Sequence, residues 1–153
     1  MPLSWRFAAF DDLTPRDVHD IFRVRIEVFV IEQECPFQDV DGADPSSWHL
    51  LGTNGSSDLV AYCRLVPPGV KYAEPSIGRI VTTAQVRGTG CGRELVKEAL
   101  ARTEALWPGK PIRIGAQARL EKFYNEFGFV QSSDPYDEDG ILHIEMLLEK
   151  GRS

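Results

Sequence analysis

Gln85-Val86-Arg87-Gly88-Thr89-Gly90-Cys91-Gly92 lies between two segments of opposite periodicity. Upstream, Ser76 to Thr83 is rich in β-branched residues and reads as a strand. Downstream, Leu95, Val96, Ala99, Leu100 and Leu106 mark a one-sided helix from Cys91 to Trp107, which Pro108-Gly109 stops. A strand that enters a helix through a glycine cluster leaves free backbone N–H groups beside the positive end of the helix dipole. Such a junction suits a phosphate. The same glycines would also serve a tight turn that holds no ligand.

The spelling of the loop separates the phosphate binders. A nucleotide P-loop needs G-K-[ST] after four spacers, whereas Gly92 is followed by Arg93-Glu94. A dinucleotide fingerprint needs G-x-G-x-x-G; here the third glycine comes one residue early, and no acidic residue stands near position 108.

Outward from the loop, Leu3 to Phe10 reads as a first strand. Thr14 then caps a helix with Pro15 at its first position. Val18, Ile21, Phe22, Arg25, Val28 and Phe29 carry that helix to Val30 or Ile31. Residues 33–47 read as loop. Trp48 to Gly52 and Leu59 to Val66 form a strand pair, with Asn54-Gly55 predicting a tight hairpin. After the central helix come a strand from Pro111 to Ala116 and a short aromatic helix through Leu120, Phe123, Tyr124 and Phe127, closed by Gly128. Strands at Phe129 to Gln131 and Ile141 to Leu148 complete the chain.

The 153 residues read as a single domain, residues 1–153, with no second core required. No apolar run reaches the roughly 20 residues that cross a bilayer, and Met1-Pro2-Leu3-Ser4-Trp5-Arg6 has no export pattern. A cytoplasmic setting and no membrane partner are expected. Cys35, Cys63 and Cys91 contain no C-x-x-C pair, and His19, His49 and His143 have no ligand spacing, so no metal is expected. The net charge of −6 argues against duplex nucleic acid. It also hides an asymmetry. Arg79 to Lys122 holds nine Lys or Arg against four Glu, while Glu32, Glu34, Asp39, Asp41 and Asp44 form one acidic stretch and Asp134, Asp137, Glu138 and Asp139 another. Both stretches read either as solvated loops or as a surface for a cation.

The loop resembles the acetyl-CoA loop of the GNAT acyltransferase superfamily, whose pattern [QR]-x-x-G-x-[GA] is met by Gln85, Gly88 and Gly90. That superfamily also carries F-Y-x-x-x-G-F one strand and one helix later, as in Phe123-Tyr124-Asn125-Glu126-Phe127-Gly128-Phe129. Further stretches resemble the ElaA-type branch: Val24-Arg25 through Val28-Phe29-Val30, Glu32-Gln33, Asp39 and Asp41 before His49-Leu50, Ile77-Gly78-Arg79, Ala116-Gln117-Ala118, and Glu138-Asp139-Gly140-Ile141 with His143. Leu142 stands where the branch usually has proline. Gln117 and Leu120 replace the asparagine and alanine common before the aromatic pair.

The resemblance implies an α+β fold: a central mixed, mostly antiparallel sheet of six or seven strands with helices on both faces. It implies N-acetyl transfer from acetyl-CoA to a small-molecule primary amine. The cofactor set would be Ile80, Val81 and Thr82 along the pantetheine, Arg87, Gly88, Thr89, Gly90, Cys91, Gly92 and Arg93 around the pyrophosphate, and Gln117. Tyr124 would act as general acid to the leaving thiolate. Glu32, His49 and His143 are the candidate bases, and Asp39 and Asp139 the candidate contacts to a cationic acceptor. A non-catalytic acetyl-CoA-binding sensor is the alternative, since a cofactor motif does not guarantee turnover. A homodimer is compatible with a domain of this size.

Overall fold

The structure, a computed structural model, describes residues 3–149. Met1 and Pro2, part of the N-terminal stretch read above, lie outside the described residues, as do residues 150–153. The strands are β1 (Ser4–Ala9), β2 (Trp48–Thr53), β3 (Leu59–Val66), β4 (Ser76–Thr82), β5 (Ile112–Gln117), β6 (Val130–Gln131), β7 (Tyr136–Glu138) and β8 (Ile141–Leu148). The helices are α1 (Pro15–Arg25), α2 (Cys91–Leu106) and α3 (Glu121–Asn125). Among the described residues no helix is long and apolar enough to cross a membrane.

The strands form two antiparallel sheets of four: β1-β2-β3-β4, and β5-β8-β6 with β7 also on β8. The expected α+β architecture is therefore present, with β7 as an additional short strand. β4 and β5, joined through α2, begin side by side, where the Arg113 N–H donates to the Pro75 carbonyl at 3.1 Å. Among the described residues no ladder continues between them, and both strands go on to line one cleft. This divergence puts an opening at the centre of the molecule.

β3 shows why helices cover both faces. All eight of its residues are buried. Ala61, Cys63 and Leu65 pack with Leu95, Val96 and Ala99 of α2, whereas Tyr62 packs with Ile21 and Val24 of α1. Alternating residues of a strand point to opposite faces, so the two helices must lie on opposite sides.

Two departures from regular geometry flank the opening. α1 starts as expected: Thr14 Oγ1 accepts from the Asp17 N–H at 3.0 Å, and Asp17 accepts from the Thr14 N–H at 3.0 Å. It does not continue as an α-helix to Val30. Ile26–Glu32 is a π-helix, with N–H groups of Gln33 and Cys35 donating to carbonyls five residues back at 3.2 and 3.0 Å. Such wider turns often occur at functional sites. In β4, Gly78 faces Arg64 and Val81 faces Tyr62, so three steps on β4 match two on β3. The extra residue makes a β-bulge, and Arg79 there has φ of +51°. The bulge reverses the strand's facing: Ile77 packs on the α2 side and Val81 on the α1 side.

The hairpin between β2 and β3 is looser than Asn54-Gly55 predicts. The Asn54 carboxamide oxygen accepts from Ser56 and Asp58 N–H groups at 2.9 and 3.0 Å, and the positive φ of +67° falls on Ser57. An asparagine that bonds the backbone ahead of it favours this wider turn over a two-residue one.

Candidate functional site

The glycine loop takes the shape its residues allow. Gly88 and Gly90 have φ of +78° and +85°, and Gly90 caps α2 in the left-handed region, which side chains disfavour. Space for a Cβ is not the constraint, because nothing lies within 4 Å of either position. The first N–H groups of α2 have no partner within the helix. They open on a cleft of about 520 Å³ lined by Gly88, Gly90, Cys91, Gly92, Arg93 and the Ile80–Thr82 edge of β4. Thr89 stands apart from this lining and turns its hydroxyl to the Val86 carbonyl at 2.5 Å. Arg93 pairs with Glu126 at 2.9 Å. Burial, with the nearby Glu94 charge, pushes the Cys91 thiol up, so it stays protonated.

A second cleft, of about 560 Å³, occupies the gap between β4 and β5. One wall comes from the π-helical segment and the residues after it, with Val28, Phe29, Glu32, Gln33, Cys35 and Phe37. The other comes from the β7–β8 hairpin, with Glu138, Asp139, Ile141 and His143. The Cys35 thiol donates to the Asp139 carbonyl at 3.2 Å and ties the walls together. Ile80, Val81, Thr82, Arg87, Leu120 and Tyr124 line both clefts, so the two meet along β4.

Tyr124 stands at that meeting point and is 6% exposed. α3 delivers it, and edge contacts with Phe123 and Phe129, at 5.1 and 6.2 Å between ring centroids, fix its ring. Burial pushes its hydroxyl well above the ordinary tyrosine value, which keeps the proton on oxygen at neutral pH.

His143 lies in the wide cleft and stacks on Tyr136 at 5.9 Å. Its Nδ1 is 2.8 Å from the Ile141 carbonyl, which can only accept, so Nδ1 carries the hydrogen. Its Nε2 lies 3.7 Å from Glu138. Glu32 also lines this cleft, 2.7 Å from Arg87. Asp139 sits at the hairpin tip with φ of +52°, followed by Gly140 at +83°. Gln117 reaches into the wide cleft, donating to Gln33 at 3.3 Å.

Two expected site residues lie elsewhere. His49 is buried away from both clefts: its Nε2 donates to the Asp44 carbonyl at 3.1 Å, and its Nδ1 accepts from the Tyr62 hydroxyl at 2.7 Å. Burial pushes its pKa down and keeps it neutral. Asp39 offers no free oxygen to an acceptor amine, because Oδ2 accepts from Arg25 at 2.8 Å and Oδ1 from Arg79 at 2.9 Å. Asp39, Asp41 and Asp44 of the first acidic stretch thus form an ion network with Arg25, Arg64 and Arg79. Asp44 holds the fully buried Arg25 at 2.7 Å and Arg64 at 3.1 Å, while Asp41 takes Arg64 at 2.6 Å.

A strand, a glycine loop and a helix thus frame one cleft, and it runs into a second that holds Tyr124 and His143. Residues 26–150 match the acetyltransferase (GNAT) domain family, and the chain belongs to it. A UPF0039 protein of Synechocystis sp. is 43% identical over 97% of this chain and 96% of its own length. Protein ElaA of Escherichia coli is 36% identical over 96% and 97%. The crystal structure of ElaA superposes with a TM-score of 0.90 over 96% of this chain and 99% of its own. That of an acyl-CoA N-acyltransferase from Pseudomonas aeruginosa, 39% identical, also has a TM-score of 0.90, over 95% and 98%.

Proposed function

We propose that the chain transfers an acetyl group from acetyl-CoA to a primary amine by direct attack. The observation that supports this most is the place of Tyr124, a buried residue that keeps its hydroxyl proton and lines both the glycine-loop cleft and the wide cleft. Pantetheine would run along Ile80–Thr82 as an added strand, with its pyrophosphate against the amides from Arg87 to Arg93. The acceptor would enter the wide cleft between the Gln33–Phe37 wall and Asp139 at the hairpin tip. There the ammonium loses a proton to Nε2 of His143, directly or through one water. The C–N bond forms as the C–S bond breaks; the departing sulfur takes the Tyr124 proton, and the second proton, shed by the new amide nitrogen, returns to the Tyr124 oxygen. Holding donor and acceptor in contiguous clefts supplies the proximity the reaction needs. Glu32 serves Arg87 in this scheme.

The test is release of CoA from acetyl-CoA across a panel of primary amines, by wild type and Tyr124→Phe. The phenyl ring preserves the packing, so the variant is expected to bind acetyl-CoA normally and to turn over about a hundredfold more slowly. Saturable acetyl-CoA binding without turnover on any amine would replace this reading with a binding module. A second panel of acyl-CoA donors with the best amine tests the preference for acetyl.

A further inference from the structure

Asp39 joins two irregular backbone segments that both line the wide cleft. One is the π-helical segment, which begins directly after Arg25; the other is the β4 bulge at Arg79. The Asp39 carboxylate accepts from Arg25 and Arg79 on separate oxygens, at 2.8 and 2.9 Å. Its backbone carbonyl accepts from the same two guanidiniums, at 2.9 and 3.0 Å. Asp39 is 3% exposed, so these bonds form away from water and are correspondingly directional.

Arg79 occupies the left-handed region, which costs energy for any residue but glycine and persists only where the surroundings enforce it. Three contacts enforce it here: Asp39, Asp41 at 3.3 Å, and the Phe37 ring 5.7 Å from the guanidinium carbon. The backbone effect lies next to the cleft. Gly78 and Val81 have register partners on β3, whereas Arg79 and Ile80 between them have none. Both line the wide cleft, and Ile80 lines the glycine-loop cleft as well. A backbone N–H released from a ladder at such a point can donate to an acyl carbonyl.

We infer that Asp39 is a positioning residue: acting through Arg79, it holds the β4 bulge and so aims a backbone N–H of that bulge at the thioester carbonyl. The inference rests on the transferase reading and gives Asp39 a task other than contact with the acceptor.

The test needs no acceptor. The carbonyl carbon resonance of isotopically labelled acetyl-CoA is compared free and bound to wild type, Asp39→Asn, Arg79→Ala and Arg79→Gly. Binding to wild type moves the resonance downfield, as a hydrogen-bonded carbonyl requires. Asp39→Asn and Arg79→Ala lose that displacement, while Arg79→Gly keeps it, because glycine adopts the bulge geometry without a clamp. With an amine that turns over, kcat falls roughly a hundredfold in the first two variants, more than KM for acetyl-CoA rises, and recovers in Arg79→Gly. Should Arg79→Ala fail to fold, Asp39→Asn, which retains the shape and the carbonyl of the residue, carries the comparison. A displacement preserved in Asp39→Asn, or lost equally in Arg79→Gly and Arg79→Ala, overturns the inference. Wild type that binds no acetyl-CoA removes the transferase reading and this role with it; wild type that binds with an unmoved resonance removes only the role.

Discussion

The guanidinium of Arg87 lies 2.7 Å from the carboxylate of Glu32, an ion pair that links the glycine loop to the π-helical turn. Both partners are partly exposed, so the pair is worth no more than about 1 kcal/mol. It still occupies a cation that lines the glycine-loop cleft. Arg87 also donates to the Thr82 carbonyl, at 3.2 and 2.9 Å, so Glu32→Gln should keep it in place, remove the competing carboxylate and tighten acetyl-CoA binding by about two- to fivefold, since 1 kcal/mol corresponds to roughly that factor. Arg87→Ala should weaken binding. Calorimetric titrations at low and high salt check both, with the differences shrinking at high salt. A large loss of turnover in Glu32→Gln would instead make Glu32 the base.

His143→Gln preserves a polar side chain but removes the imidazole that takes the proton in the proposed reaction. Turnover should fall by about a hundredfold or more, with acetyl-CoA affinity unchanged. Undiminished turnover in this variant would remove His143 from proton transfer.

Gly90→Ala introduces a side chain at φ of +85°, where the methyl meets no neighbour and the cost is backbone strain of about 1–2 kcal/mol. The loop should relax away from its cradle, and acetyl-CoA binding should weaken about tenfold. The thermal midpoint should drop by only a few degrees. Titration and thermal unfolding of the same preparation separate the two effects.

The buried network sets the acid limit of the fold. Burial opposes the charge on Asp44, but the bonds from Arg25 and Arg64 outweigh it and hold the carboxyl below the ordinary range. The Arg64 hydrogen bonds hold Asp41 lower still, against a smaller opposing effect of burial. A carboxyl depressed in the native state contributes stability above its unfolded pKa of about 4, and that contribution fades as pH falls. Urea midpoints should therefore decline from about pH 5 downward. Asp44→Ala should lose about 3–5 kcal/mol at neutral pH, because Arg25 keeps a buried charge without its closest partner, and its stability should depend less on acid.

The fold and the cofactor side of the site could be read from local signals. Gly88 and Gly90 announce a backbone conformation that few other residues adopt, and Thr14-Pro15 announces a helix start, because each acts on its immediate neighbours. The acidic stretch could not be read in the same way. Asp39 finds its partners at Arg25 and Arg79, 14 and 40 residues away, and no local pattern shows that a loop of Pro, Asp and Gly turns inward to meet them. His49 shares that fate, because its role depends on Tyr62 across the sheet. The β7–β8 hairpin did carry a readable sign. Asp139-Gly140, with φ of +52° and +83°, forms a turn of the kind that pair favours, and it places His143 opposite Gln117. The π-helical turn carried none, since Val28 and Phe29 continue the apolar period of α1 and nothing in Ile26 to Glu32 marks a wider turn.

The parting of β4 from β5 after Pro75 and Arg113 gives this chain two strand rims that confront one another inside a single molecule. Proteins normally hide such rims, since an unpaired row of amides and carbonyls recruits whatever extended chain comes near. Here the recruiting power is directed inward. A strand-like ligand threaded between the rims would knit two separate sheets into one continuous fabric, so mechanical stiffness would belong to the loaded complex. Slower amide exchange on both rims at once would register that change.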